Sequence, residues 1–173
     1  LTVNRDYQTS VPHVYAVGDI IGAPALAASS AEQGRLAALH AFTGVAAEFP
    51  DTFPYGIYTI PEISSVGFQE AQLAKRGIKY VVGKARYSEL ARGKMIGDDF
   101  GFLKLAGHAK THRVVGIHVI GTSATELVHI GQVAIAFGAG VEFFVDNVFN
   151  YPTLAEAYKV AAYNALNQLR AHG

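Results

Sequence analysis

Hydrophobic and polar positions change period along the chain, and the changes mark its elements. Val11, Val14, Tyr15, Ala16 and Val17 make a short apolar run that stops at Gly18-Asp19. Such a run predicts a buried strand over 11–17 that ends in a loop. Residues 25–42 are rich in alanine and free of proline up to Gly44, which predicts a helix with a small-residue face. Residues 45–56 carry Pro50 and Pro54 and alternate poorly, and read as a linker. Beyond it, 58–67 is extended, with a turn at Pro61-Glu62. A short helix over 69–76 stops at Gly77. Alternation predicts strands over 79–87, 100–105 and 114–120, the last two joined as a hairpin through polar residues 107–113. Thr122 or Ser123 is placed to cap a helix running to about Phe137, with Glu126 at capping-box spacing from Ser123. A shorter helix over 141–146 and a last one over 153–171, with Thr153 and Glu156 at the same spacing, complete the pattern. Strands followed by helices make an α+β unit with an antiparallel sheet. The expected division is 1–44, a strand-helix piece of an α/β domain, and 45–173, the α+β domain.

Charge narrows the partners. Fourteen basic and fourteen acidic side chains cancel, which gives no electrostatic reason to expect nucleic acid or an anionic membrane. No apolar run approaches the roughly 18 residues of a membrane span; the longest candidate, 128–140, is broken by His129, Gln132 and Gly138. The chain has no cysteine, so it carries no disulfide framework, thiolate metal site or cysteine nucleophile, a composition compatible with the cytoplasm. It starts at Leu1 with no leader pattern, and is expected to begin inside a longer protein.

Two constellations could carry chemistry. In the first, a strand ending in Gly18-Asp19 places a carboxylate at the carboxyl end of a sheet, where open α/β folds bind ligands. Glycine lets the backbone approach the ligand, and the aspartate can accept from sugar-like hydroxyls. The helix that follows presents free N–H groups and its positive end. By themselves these residues also read as an ordinary turn with a polar cap. In the second, Asn150-Tyr151-Pro152-Thr153 precedes Glu156. A tyrosine beside a carboxylate could do acid–base work, and the same residues are also an ordinary helix start. The seven histidines are dispersed. Only His108 and His112 are close, on the expected hairpin, where a spacing of four does not suit a metal; no metal site is expected.

Three stretches together resemble one family. Thr9, then Tyr15-Ala16-Val17-Gly18-Asp19, resembles the second FAD signature of the two-dinucleotide-binding flavoprotein reductases, the pyridine nucleotide-disulfide oxidoreductases. Tyr58-Thr59-Ile60-Pro61-Glu62-Ile63-Ser64-Ser65-Val66-Gly67 resembles the opening of their interface domain. Asn150-Tyr151-Pro152-Thr153-Leu154-Ala155-Glu156 is similar to the loop that carries a His-Pro-Thr-x-x-Glu motif in the disulfide reductases. The resemblance implies that Gly18 and Asp19 lie at the flavin, with Asp19 on the ribityl hydroxyls. It also implies that the amides of Leu26 and Ala27 face the pyrimidine end of the isoalloxazine, and that the 45–173 domain forms a homodimer. Tyr151 occupies the position of the family's catalytic histidine, while Glu156, which would orient that histidine, is retained. Thiol chemistry is thereby disfavoured. Ile60, where lipoamide dehydrogenases carry aspartate, and the wording around Tyr151 lie nearest the transhydrogenase branch. Enzymes of that branch pass reducing equivalents between NADPH and NAD through FAD without a redox disulfide. Tyr151-Pro152 is expected to close the far side of the partner subunit's flavin. A lipoamide dehydrogenase-like enzyme or other flavoprotein reductase, and a stand-alone non-catalytic dimerisation module, are the alternatives. No Gly-x-Gly-x-x-Gly occurs, so the chain by itself is expected to be inactive, with 45–173 the more secure piece and 1–44 less so.

Overall fold

The computed structural model describes residues 1–46 and 48–172, with side chains described through residue 170. The chain forms two compact units, Leu1–Asp51 and Thr52–Gly173.

In the first unit, helix α1 (Ala27–Thr43) ends on Gly44, whose φ of 72° is the left-handed stop that glycine supplies without a Cβ penalty. Its buried stripe is Ser29, Gln33, Leu36 and Ala37, at helical spacing. Tyr7, Leu36 and Ala37 form a small core with Val3, Tyr15, Val17, Ile21 and Phe49 against it. The strand expected over 11–17 does not form. Among the described residues the segment makes a single antiparallel bridge, Gln8 to Tyr15. Val11 and Val14 stay 43% and 44% exposed. An apolar run becomes a strand only where a neighbouring strand takes up its backbone groups. Here the 9–14 segment closes on itself, Thr9 N–H donating to Val14 O at 2.9 Å and Val14 N–H to Val11 O at 2.9 Å.

The second unit is α+β. Strands β1 (Tyr55–Ile57), β2 (Ile63–Gly67), β3 (Tyr80–Arg86), β4 (Phe102–His108) and β5 (Val114–Ile120) form one antiparallel sheet in the order β1-β2-β5-β4-β3. Helix α2 (Glu70–Lys75) follows β2. Its capping box is formed by Gln69 and Gln72. Helix α3 (Ala91–Ile96), not foreseen from the pattern, precedes β4 and stops at Gly97 with φ 71°. Helices α4 (Ala124–Ala136), α5 (Glu142–Asp146) and α6 (Glu156–His172) complete the unit.

Register explains the core. Ala85, Leu103, Val119 and Ser64 lie side by side across β3, β4, β5 and β2, and Leu105, Ile117 and Val66 make the next row. All of these are at most 2% exposed. Helix α6 packs on β3 and β4, and α4 on β5 and β2. The α6 approach is very close, because it presents Ala157, Ala161, Ala162 and Ala165 and meets Gly83, where a Cβ would lie 1.8 Å from the Ala161 carbonyl oxygen.

Both expected capping boxes differ in detail. Ser123 precedes α4 with φ 59°, a left-handed conformation, and makes no side-chain cap bond. Its carbonyl receives the Leu127 N–H at 2.9 Å instead. The neighbouring Thr122 N–H is taken by Asp98 Oδ2 at 2.7 Å, and Asp98 Oδ1 accepts from Gly101 N–H at 2.7 Å. Thr153 supplies half a box. Its N–H reaches Glu156 Oε2 at 3.4 Å, but its hydroxyl donates backwards to Asn150 O at 2.7 Å, and regular helix starts only at Glu156.

Candidate functional site

The residues singled out in the first unit converge on α1. Gly18 opens a 3₁₀ turn, Gly18–Ile21, with φ 76°. It is pressed against α1, since a Cβ there would lie 3.1 Å from Ser30 Oγ. Its N–H donates to Gln33 Oε1 at 2.7 Å. The next residue, Asp19, is exposed. Leu26 enters α1 in an extended conformation, and no side chain caps the helix. Ala27 and Ala28 are exposed, so the first amides of α1 are open and their small side chains leave room beside them. The Ser29 hydroxyl is within 2.9 Å of both the Pro24 and Leu26 carbonyl oxygens and ties the preceding loop to the helix. Gly18, Asp19, Leu26 and Ala27 are thus held by a single helix.

Thr9 does not reach this group. Its hydroxyl caps its own turn, donating to Val11 O at 3.2 Å and accepting from Val11 N–H at 3.1 Å.

Tyr151 and Glu156 lie in the second unit. Tyr151 is 74% exposed on the loop before α6. Glu156 takes the Thr153 amide, a backbone role at the head of the helix. The neighbouring surface is apolar. A groove of about 470 Å³ is lined by Ile130 of α4, Phe143 of α5, and Val148, Phe149, Asn150 and Thr153 of the following loop. Val133, Phe137 and Val148 are 57%, 86% and 93% exposed.

The histidine pair belongs to turns. His108 Nδ1 accepts from the Lys110 and Thr111 amides at 3.1 Å, and His112 Nδ1 pairs with Glu142. Among the described residues no group of three His, Cys, Asp or Glu side chains converges on a point where a metal could sit.

Sequence reasoning passed over Gln33 and Ser29. They are 3% and 5% exposed. The available signal was their spacing of four, which puts two polar side chains on the face that also carries Leu36 and Ala37.

Known proteins agree with this architecture. Residues 53–162 match the family model described as pyridine nucleotide-disulphide oxidoreductase, dimerisation domain. The soluble pyridine nucleotide transhydrogenase of Mycobacterium tuberculosis is 54% identical over 98% of this chain, which covers 36% of that protein. The soluble pyridine nucleotide transhydrogenase of Salmonella enteritidis is 50% identical over 98% of the chain, which covers 37% of it. The chain therefore spans little more than a third of these relatives. Among solved structures, LpdA of Mycobacterium tuberculosis superposes with a TM-score of 0.81 at 30% identity, over 94% of this chain and 36% of that one. The HOCl-induced flavoprotein disulfide reductase RclA of Escherichia coli gives 0.85 at 21% identity, over 94% of this chain and 38% of that one, a likeness of fold. The five-stranded antiparallel sheet, its covering helices and the match over 53–162 place the chain in the pyridine nucleotide-disulphide oxidoreductase dimerisation-domain family.

Proposed function

We propose that this chain is part of an FAD-dependent oxidoreductase that passes reducing equivalents between NADPH and NAD. In this reading 1–44 supplies contacts to the flavin and 45–173 supplies a homodimer interface. The observation that carries it is the 54% identity to a soluble pyridine nucleotide transhydrogenase over nearly the whole chain, in a sequence whose histidine position holds Tyr151. The parent protein is assigned to the cytoplasm.

The first unit suits a flavin. The open amides of Leu26 and Ala27, with the positive end of α1, favour negative charge beside them, and the exposed Asp19 carboxylate can accept from polyol hydroxyls. When bound, FAD would supply the hydride acceptor and donor that joins the two nicotinamide nucleotides. The role of this chain is then to bind and orient the flavin through Gly18, Asp19, Leu26 and Ala27. Tyr151 shields or contacts the partner subunit's flavin. An imidazole is the usual base for a thiol–disulfide pair. Tyr151 does not replace it, and Glu156, whose Oε2 accepts from the Thr153 amide at 3.4 Å, has no imidazole to orient.

The homodimer reading rests on the apolar groove around Phe143 and Val148 and on the family to which the chain belongs. A surface of this kind is buried when two copies meet.

Kinetics of the parent enzyme decide the reading. NADPH-dependent reduction of an NAD analogue is expected to proceed, with lipoamide and glutathione disulfide turned over at least about a hundredfold more slowly. Tyr151→Phe is expected to keep turnover within about threefold, since removal of a true acid–base catalyst costs about 10²–10⁴-fold. Brisk disulfide reduction would shift the assignment to a lipoamide dehydrogenase-like enzyme.

A further inference from the structure

Gln33 has the position of a part that sets another part. It stands in the middle of α1, is 3% exposed, and spends its side-chain oxygen on one backbone amide, that of Gly18, at 2.7 Å. Two turns further along the helix, His40 Nδ1 lies 2.9 Å from the Tyr15 hydroxyl. Residues 33 and 40 share a helix face. The helix therefore grips the Tyr15–Gly18 stretch at both ends, through side chains that leave Asp19 free.

The grip substitutes for the missing strand ladder. A buried amide has to be paired, and Gly18 has the Gln33 oxygen as its partner. Gly18 is also the residue with φ 76°, so the direction in which the chain leaves it toward Asp19 is fixed by a torsion most residues avoid. The Ser29 hydroxyl fixes the other side of the same loop at Pro24 and Leu26.

We infer that Gln33 is a positioning residue, which holds the Val17–Gly18 peptide and so sets the turn from which Asp19 leaves, so that the Asp19 carboxylate and the first amides of α1 address one ligand. Gln33 itself does not touch that ligand. The inference rests on the flavin reading above.

The test uses the parent protein and four variants. Gln33→Leu removes the acceptor at nearly equal volume. Gln33→Asn withdraws the same amide by one methylene, which serves if the leucine variant fails to fold. Gln33→Glu keeps an acceptor at full reach. Leu36→Ala, which removes core from the same unit but leaves the Gln33 acceptor of the Gly18 amide in place, is the control for general loosening. FAD affinity is measured by fluorescence quenching on the apoprotein, and exchange of the Gly18 amide by NMR on the 173-residue chain.

Gln33→Leu and Gln33→Asn are expected to weaken FAD binding about tenfold or more and to speed Gly18 exchange by a similar factor. Gln33→Glu is expected to restore both to within about threefold, and Leu36→Ala to lower the melting temperature while leaving Gly18 exchange below global opening nearly unchanged. Wild-type FAD affinity in the Gln33→Leu protein would overturn the inference and leave the flavin reading standing. Equal losses in Gln33→Leu and Leu36→Ala would reduce Gln33 to a packing residue and overturn it as well. A wild-type parent that binds no FAD would remove the flavin reading, and this inference with it.

Discussion

The Tyr158 hydroxyl sits at Gly131 and bonds two backbone groups one turn apart on α4. It accepts from Gly131 N–H at 3.0 Å and donates to Leu127 O at 2.7 Å. The approach requires glycine, because a Cβ at 131 would lie 3.0 Å from that hydroxyl and 2.4 Å from Ile117 Cγ1. Tyr158 is fully buried and stacks on Phe144 with ring centroids 4.9 Å apart. One hydroxyl thus ties α6 to α4 over the sheet, and burial pushes its ionisation well above the ordinary tyrosine value.

Tyr158→Phe is therefore expected to destabilise the second unit by about 1–3 kcal/mol, the cost of leaving a buried donor and acceptor without their partner. Tyr163→Phe, on the half-exposed side of the same helix, is expected to stay within about 0.5 kcal/mol. Urea denaturation of both variants measures the difference. Equal midpoints would show that α4 closes its own Leu127–Gly131 bond at no cost.

Two glycines should answer alanine in opposite directions. At Gly83 the new methyl would overlap the α6 backbone at Ala161, and the loss is expected to be about 3 kcal/mol or more. At Gly34, inside α1, nothing lies within 4 Å of the added carbon, and the gain is expected to be about 0.5–1 kcal/mol in the stability of the first unit. Thermal scans of Gly83→Ala and Gly34→Ala, with a probe in each unit, test the pair.

Acid should reveal the Lys104–Glu70 pair. The Lys104 ammonium donates to Glu70 Oε1 at 2.6 Å and, against partial burial, holds the Glu70 carboxyl below its ordinary value. A carboxyl depressed in the folded state adds stability above its unfolded pKa of about 4.3, and that stability is lost as pH falls through the folded value. Glu70 is 41% exposed, so solvent screening keeps the contribution under about 1 kcal/mol. Wild type and Glu70→Gln are expected to differ at pH 6 and to converge below pH 4, as read from denaturation midpoints. A constant gap across that range would mean that the pair is electrostatically silent.

The apolar groove yields a mutational test of the proposed dimer. Val148 is 93% exposed at its edge. Val148→Asp is expected to weaken self-association at least about tenfold while leaving the melting temperature of the monomer unchanged, because a carboxylate cannot be buried there unpaired. Sedimentation equilibrium reads the association constant. Unchanged association would move the interface to another face.

Much of the second unit was legible because its signals are local. The polar stretch between β4 and β5 predicted the hairpin, and Gly77, like Gly44 in the first unit, marked a helix end at a residue where the backbone turns left-handed. The segment 11–17 misled because an apolar run specifies burial, whereas a strand also requires a neighbour, and among the described residues only the Gln8–Tyr15 bridge forms there. Helix α3 escaped notice because its six residues present no full amphipathic period, although Leu90, Ala91, Lys94 and Met95 before Gly97 are ordinary helix formers. At the site, Gly18 and Asp19 stood out through a pattern of adjacent residues. Gln33 did not, because a lone glutamine in a helix ordinarily faces solvent, and only the tertiary approach of Gly18 shows what it holds.

Light scattering on the 173-residue chain after size exclusion, run with and without free FAD, tests the central claim most directly. The account predicts a dimer that elutes without bound flavin, with the interface in the second unit and catalysis requiring more than this chain. A monomer that carries FAD tightly through the column would contradict it, because the chain would then be a self-sufficient flavin domain.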